Sequence, residues 1–213
     1  MTQNNRFIRK LEHLNAALRI SDGPKDTWLE DVHLIHQALP GADWDELDAR
    51  QILWGKTLSF PLIINAITGG PSETEEINRK FASIAAEIGI GMAVGSQTVA
   101  MEHTIARKSF YVARKYNPTG LLLANVSANV KPANALKAVE MIEADALQLH
   151  LNPSQELFMT EGDRGFKYLE ENILKILDSS PVPVIVKEVG FGISKETAHK
   201  LSCLGVKWIV ISG

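Results

Sequence analysis

The chain has one cysteine, Cys203, in 213 residues, so it can close no internal disulfide. Cys203 falls in a helical pattern, TAHKLSCLG, which predicts a buried structural thiol in a reducing compartment. A charge excess is also lacking. With 22 basic against 25 acidic side chains the net charge is -3, and there is no electrostatic footprint for nucleic acid or an anionic membrane. No apolar run approaches the roughly 20 residues that span a bilayer. The opening MTQNNRFIRKLEH lacks the apolar stretch of a secretory leader, which predicts a cytoplasmic location. Low-complexity segments are absent as well.

Short apolar and β-branched runs recur: PLIINAIT (61–68), IGMAVGS (90–96), GLLLANVS (120–127), ALQLHLN (146–152), PVIVKEVG (183–190) and KWIVISG (207–213). Each reads as a strand. Helical spacing joins Ile77, Phe81, Ile84 and Ile88, then Ala135, Val139 and Ile142, then Leu169, Ile173, Ile176 and Leu177. Strands alternating with helices demand a parallel sheet, because each return to the same edge needs a long crossover.

An open doubly wound sheet and a (β/α)8 barrel both satisfy this alternation. Fully buried strands of an open sheet read as unbroken apolar runs. Here polar residues gather at the carboxyl ends: Thr68, Ser96, Asn125 with Ser127, His150 with Asn152, Lys187 with Glu188, and Ser212. That placement favours a barrel with its site at the strand ends. Residues 1–60 form a preamble, with Phe7, Leu11, Leu14 and Leu18 on one helical face and a short hairpin predicted in DARQILWGKTLSFP (48–61). Residues 61–213 hold the barrel strands.

Several of these polar residues need partners. Period two on strand ALQLHLN puts the leucines on one face and Gln148, His150 and Asn152 on the other. Burying such groups unpartnered costs about 1–3 kcal/mol each, which points either to an internal network or to a ligand at the strand end. In ITGGPSETEE, Gly69 and Gly70 permit close approach of a ligand, or simply a tight turn with Ser72 or Thr74 capping the next helix. Lys187, mid-strand, calls for an anion, a cofactor carbonyl or an ion-pair partner. Glu156 is either a surface glutamate or one ligand of a Mg²⁺ ion shared with a substrate phosphate.

The motifs RKLEH (9–13), AITGG (66–70), AVGSQ (93–97), ANVS (124–127), QLHLNPSQE (148–156), EGDR (161–164) and VKEVGFG (186–192) together resemble the type 2 isopentenyl diphosphate isomerases. The resemblance runs from residue 6 to 213. It implies an α/β (β/α)8 TIM barrel, here cut short after the sixth strand, that interconverts isopentenyl and dimethylallyl diphosphate. It also implies reduced FMN, Mg²⁺, NADPH as the reductant, an isoprenoid diphosphate substrate and a homo-oligomer.

Carried over by position, Ile67, Thr68, Gly69, Ser96, Asn125, Lys187 and Ser212 would bind the flavin. Arg9, Lys10 and His13 would grip the diphosphate, and Gln97, His150 and Asn152 would line the substrate pocket. Gln155 would face the reacting carbons, and Glu156 would hold Mg²⁺. Two departures stand out. Thr98 replaces an arginine common in the family, and the chain ends at ISG, before the strands whose loops bind the cofactor phosphate. The expectation is therefore poor FMN affinity for this piece alone. Competing readings are a flavin oxidoreductase on a related barrel and an inactive remnant that only binds ligand.

Overall fold

The computed structural model describes residues 3–21, 29–160 and 162–211. Helix α1 (Gln3–Ala17) opens the chain. Past single 3-10 turns at Leu29–Asp31 and Trp44–Glu46 come strands β1 (Gln51–Leu53) and β2 (Lys56–Leu58), an antiparallel hairpin with Ile52 opposite Thr57. Its two-residue turn needs positive φ at both positions, which Trp54 (49°) and Gly55 (80°) adopt. That conformation is unfavourable for a tryptophan, and packing offsets it: the Trp54 ring meets Trp208 edge-on at 5.4 Å.

Six parallel strands follow: β3 (Ile63–Ile64), β4 (Gly91–Ala93), β5 (Leu122–Ser127), β6 (Ala146–Leu151), β7 (Val184–Glu188) and β8 (Trp208–Val210). They pair in strict chain order, β3-β4-β5-β6-β7-β8. A doubly wound sheet reverses direction at a switch point, so unbroken order selects barrel winding. The ladders are shorter than the predicted runs. Asn125, Ser127, His150, Lys187 and Glu188 sit in the last rungs of the ladder, while Thr68, Ser96 and Asn152 lie in the chain just past it.

Between the strands run α2 (Glu73–Ile88), α3 (Thr98–Glu102), α4 (Lys108–Tyr116), α5 (Pro132–Met141), α6 (Pro153–Phe158), α7 (Leu169–Ser179) and α8 (Lys195–Cys203). Helix α2 stops at Gly89, whose φ of 75° is the left-handed cap. At its other end the expected side-chain cap is missing: Ser72 makes no capping bond, and Thr74 Oγ1 donates to the Pro71 carbonyl at 2.6 Å. Cys203 also departs from expectation. It is exposed, because α8 buries its Leu201 face, and its Sγ lies 3.8 Å from His199 Nε2 one turn earlier.

Strand parity divides the core in two. Leu122, Ala124, Val126, Leu147, Leu149 and Val186 face outward against Ala82, Phe110, Ala138, Ile173 and Ile176 of the helices. On the inner face Ala93, Leu121, Leu123, Ala146 and Ile185 pack on Leu58, Leu53 and Trp54, so the hairpin fills the barrel from its amino-terminal end. Asp145 fastens that end. Its Oδ2 accepts from Leu122 N at 2.9 Å and Arg114 Nη2 at 3.0 Å, and its Oδ1 lies 3.3 Å from Lys56 Nζ.

Leu58→Ala, which empties this plug at a residue 1% exposed, should cost about 2–5 kcal/mol in urea denaturation. Ile52→Ala on the hairpin's open face should change stability by no more than about 0.5 kcal/mol.

Candidate functional site

At the carboxyl ends of the strands the inner face opens into a cavity of about 610 Å³, and α1 lies along it with Arg9, Lys10, His13 and Leu14 on the wall. Each strand or the loop after it adds to the lining. Ile67 and Thr68 follow β3, Ser96 follows β4, Asn125 and Ser127 come from β5, His150 and Asn152 from β6, and Lys187 from β7. Gln155 and Glu156 join from the first turn of α6. Ser212 lies outside the described residues.

His150 stands beside Lys187 in the β6–β7 register and beside Ser127 in the β5–β6 register. Its Nδ1 is 2.9 Å from Asn125 Oδ1. An amide oxygen only accepts, so Nδ1 carries the hydrogen and Nε2 is left as an acceptor. Burial, then the charges of Lys187 and Lys10, push the imidazole down to about 3, so it is neutral at physiological pH. Lys10 donates from Nζ to the Ser96 carbonyl at 3.1 Å. Burial, then its neighbour Arg9, lower it to about 8.

Lys187 is 5% exposed, and its Nζ donates to the Glu188 main-chain oxygen at 2.8 Å. Burial draws its pKa down and the Glu188 carboxylate partly restores it. That carboxylate is engaged elsewhere, accepting from Gly190 N at 2.7 Å and Phe191 N at 2.6 Å and so shaping the GFG turn. Half-buried Lys10, buried Lys187 and a neutral histidine therefore border one cavity, which Glu102, Glu156 and Asp163 also line, and its lysine side suits an anionic ligand.

Two predicted site residues stand off the cavity wall. Gln97 is fully buried: its Nε2 donates to the Ala138 carbonyl at 2.9 Å and its Oε1 accepts from Asn125 N at 3.0 Å. Ser96 takes the inward position, so its successor points into the α5 layer and braces β5 from behind. Gly69 backs onto Phe110, whose ring a Cβ there would overlap. Gly70 N donates to Ser109 Oγ at 2.7 Å. The Gly-Gly turn thus serves packing against α4.

Sequence reasoning passed over Asn129 and Asp163, both on the cavity wall. Asn129 Nδ2 donates to Asp163 Oδ2 at 3.0 Å. The signal was present in EGDR and in the residues just past β5, but the contact joins positions 34 apart in the chain. Thr98, standing where the family often has arginine, also lines the cavity, and its Oγ1 is 3.0 Å from Ser96 Oγ.

The cavity lies within the roughly 300–1,000 Å³ range of cofactor and small-molecule sites. Beneath it Gln148 Oε1 is buried without a partner. A planar, electron-rich group such as a flavin fits a wall holding Thr68, Ser96, Asn125 and the Lys187 ammonium. For a metal the donor set is thin: no group of three or more His, Cys, Asp or Glu converges among the described residues. Glu156 offers a carboxylate whose Oε1 accepts from Asn152 Nδ2 at 2.7 Å and whose Oε2 accepts from Asp163 N at 2.8 Å. That set suits only a hard cation whose other ligands are water and substrate oxygens.

No protein-family model matches the chain. Over 96% of its length it is 50% identical to a protein of Moorella thermoacetica, 46% to one of Symbiobacterium thermophilum and 42% to one of Listeria innocua, each named isopentenyl-diphosphate delta-isomerase. The family resemblance read from the motifs is thereby borne out. The chain spans 59%, 58% and 57% of the length of these relatives. Among solved structures it is similar to a mandelate oxidase with 3,3-difluoro-2-hydroxy-3-phenylpropionic acid, at TM-score 0.52 and 13% identity over 80% of this chain and 53% of that one. A mandelate oxidase mutant with a monooxide FMN adduct matches at TM-score 0.54 and 13% identity, over 80% and 52%. At that identity the likeness establishes the α/β barrel fold alone.

The depressed His150 pKa links stability to pH. Its folded value lies below the unfolded 6.5, so the unfolded chain binds the extra proton. This contribution is complete above about 6.5 and is lost as pH falls toward about 3. Denaturation at a series of pH values should show a shallower acid slope for His150→Gln than for the parent. Gln97→Ala, which strands the Asn125 amide and the Ala138 carbonyl, should lower stability by about 1–3 kcal/mol, measured by thermal unfolding.

Proposed function

We propose that the protein carrying this chain interconverts isopentenyl and dimethylallyl diphosphate by a 1,3-proton shift, using reduced FMN, Mg²⁺ and NADPH as the reductant. One observation carries the reading. A cationic wall from α1 (Arg9 and Lys10, with His13 beside them) and an uncharged polar wall (Asn125, His150, Asn152, Gln155) meet at one cavity. The first suits a diphosphate and the second a hydrocarbon that must gain and lose protons.

In this reading Arg9, Lys10 and His13 hold the diphosphate, and Glu156 would be the side chain that holds a Mg²⁺ ion, whose charge would offset that of the diphosphate. The alkene lies over the uncharged wall near Gln155, His150 and Asn152. Neutral His150, fixed as an acceptor at Nε2, orients a donor without adding charge to the pocket. Thr68, Ser96, Asn125 and Lys187 hold the flavin, with Ile67 alongside and Ser212 as the expected contact from the last strand. Gly69 and Gln97 support that shell from behind. Lys187 supplies positive charge where an anionic reduced ring needs it. Bound reduced FMN supplies acid–base chemistry beside the alkene, with no net electron transfer. A proton added at the terminal carbon and one lost from C2 leave the substrate an isomer of itself. We further propose a cytoplasmic homo-oligomer; among the described residues no helix is long and apolar enough to cross a membrane.

Barrel winding with polar residues gathered at the strand ends is also compatible with a second reading, a flavin oxidoreductase acting on a hydroxyacid. Two incubations separate them: with reduced FMN, Mg²⁺ and isopentenyl diphosphate, dimethylallyl product supports the isomerase, and with oxidised FMN and a hydroxyacid, reduction of the flavin supports the rival. Within the isomerase reading, Gln155→Ala should lower kcat about 100-fold or more while flavin retention is unchanged. Glu156→Ala should raise the Mg²⁺ concentration needed for half-maximal rate, and an unaltered Mg²⁺ response would remove Glu156 from the metal.

A further inference from the structure

We infer that Gly162, Asp163 and Arg164 form a clip that sets the orientation of the Glu156 carboxylate toward a divalent cation, making Asp163 and Arg164 positioning residues. This rests on the assignment of Glu156 to Mg²⁺ above. Helix α6 spans only Pro153–Phe158, and its last carbonyls lack helical partners. Arg164 serves one of them, donating from Nη1 to the Glu156 carbonyl, and just past the helix its Nη2 donates at 2.7 Å to the Met159 carbonyl, which also accepts from Gly162 N at 3.2 Å. Folded back in this way, the chain presents Asp163 N to Glu156 Oε2 at 2.8 Å.

The other oxygen is held from the opposite end of the same helix. Asn152, the residue before Pro153, donates from Nδ2 to Glu156 Oε1 at 2.7 Å. A carboxylate has about four lone-pair sites, so two bonds fix its plane and leave the remaining lone pairs for a cation. Two further features hold the clip in place. Asn129 Nδ2 donates to Asp163 Oδ2 at 3.0 Å, tying it to the loop after β5. Gly162 passes so close to α6 that a Cβ there would overlap the Glu156 carbonyl oxygen. With a sparse donor set, affinity for a hard cation depends on the orientation of the one carboxylate that is present.

The test is calorimetric titration of Mg²⁺ into the protein with inorganic pyrophosphate, alongside flavin retention and thermal unfolding. Arg164→Ala should weaken Mg²⁺ binding about 10-fold or more with flavin retention and melting temperature unchanged, and Arg164→Lys should restore part of the loss. Asp163→Pro, which removes the amide donor, should match Arg164→Ala, while Asp163→Ala, which keeps that donor, should bind Mg²⁺ more tightly than Asp163→Pro. If the parent binds Mg²⁺ with pyrophosphate and Arg164→Ala binds it equally well, the clip is overturned and the metal assignment stands. If the parent itself shows no Mg²⁺-dependent binding of pyrophosphate, the metal assignment falls and the clip falls with it. Equal losses in Asp163→Ala and Asp163→Pro would overturn the role given to the Asp163 amide.

Discussion

A parallel strand covered by helices must hide one face completely, and the remaining features of this structure follow from that requirement. Period two hands Leu122, Ala124 and Val126, then Leu147 and Leu149, to the helices. The alternate residues are thereby committed to the interior. At the amino-terminal end they are small or apolar and meet the hairpin; at the other they are Asn125, His150 and Lys187. One inner surface therefore serves as core at one end and as binding wall at the other.

The interior can hold polar groups because most of them satisfy one another. Asn125 illustrates the economy: its amide nitrogen donates to Gln97 and its side-chain oxygen accepts from His150. The imidazole, fixed in one tautomer and flanked by Lys10 and Lys187, carries no charge of its own. Charge on the wall is divided: Arg9, Lys10 and Lys187 line it together with the carboxylates of Glu102, Glu156 and Asp163. The lysine and arginine side is the part that suits the diphosphate and reduced flavin of the proposed chemistry.

Helix α1 and the Gly162, Asp163 and Arg164 clip both reach Met159 at the end of α6. Arg9 Nη1 lies 2.9 Å from Met159 Sδ, where the preamble helix reaches the end of α6. The residues assigned to the diphosphate and the residues that orient Glu156 thus meet across one short helix. The six residues Pro153–Phe158 link Gln155 and Glu156 to the side of the cavity where Arg9 stands.

Much of this was legible in the chain. Strand and helix periodicity, the hairpin and the polar strand ends depend on local alternation, which sequence records directly. The family resemblance likewise named His150, Asn152, Gln155, Glu156, Lys10 and Lys187 as site residues, and all six line the one cavity. What escaped depends on contacts between distant segments. Gln97 turned away because Ser96 took the inward place, Gly69 answered to Phe110, and Cys203 lay on the open side of α8. Asp163 reached Glu156 only through a loop folded back by Arg164. Sequence by itself determined which faces must be buried and which residue types could bind an anion, since those follow from hydrophobicity and charge. Tertiary structure decided which polar groups satisfy each other and which are left for a ligand, because hydrogen bonding depends on distances that linear order does not contain.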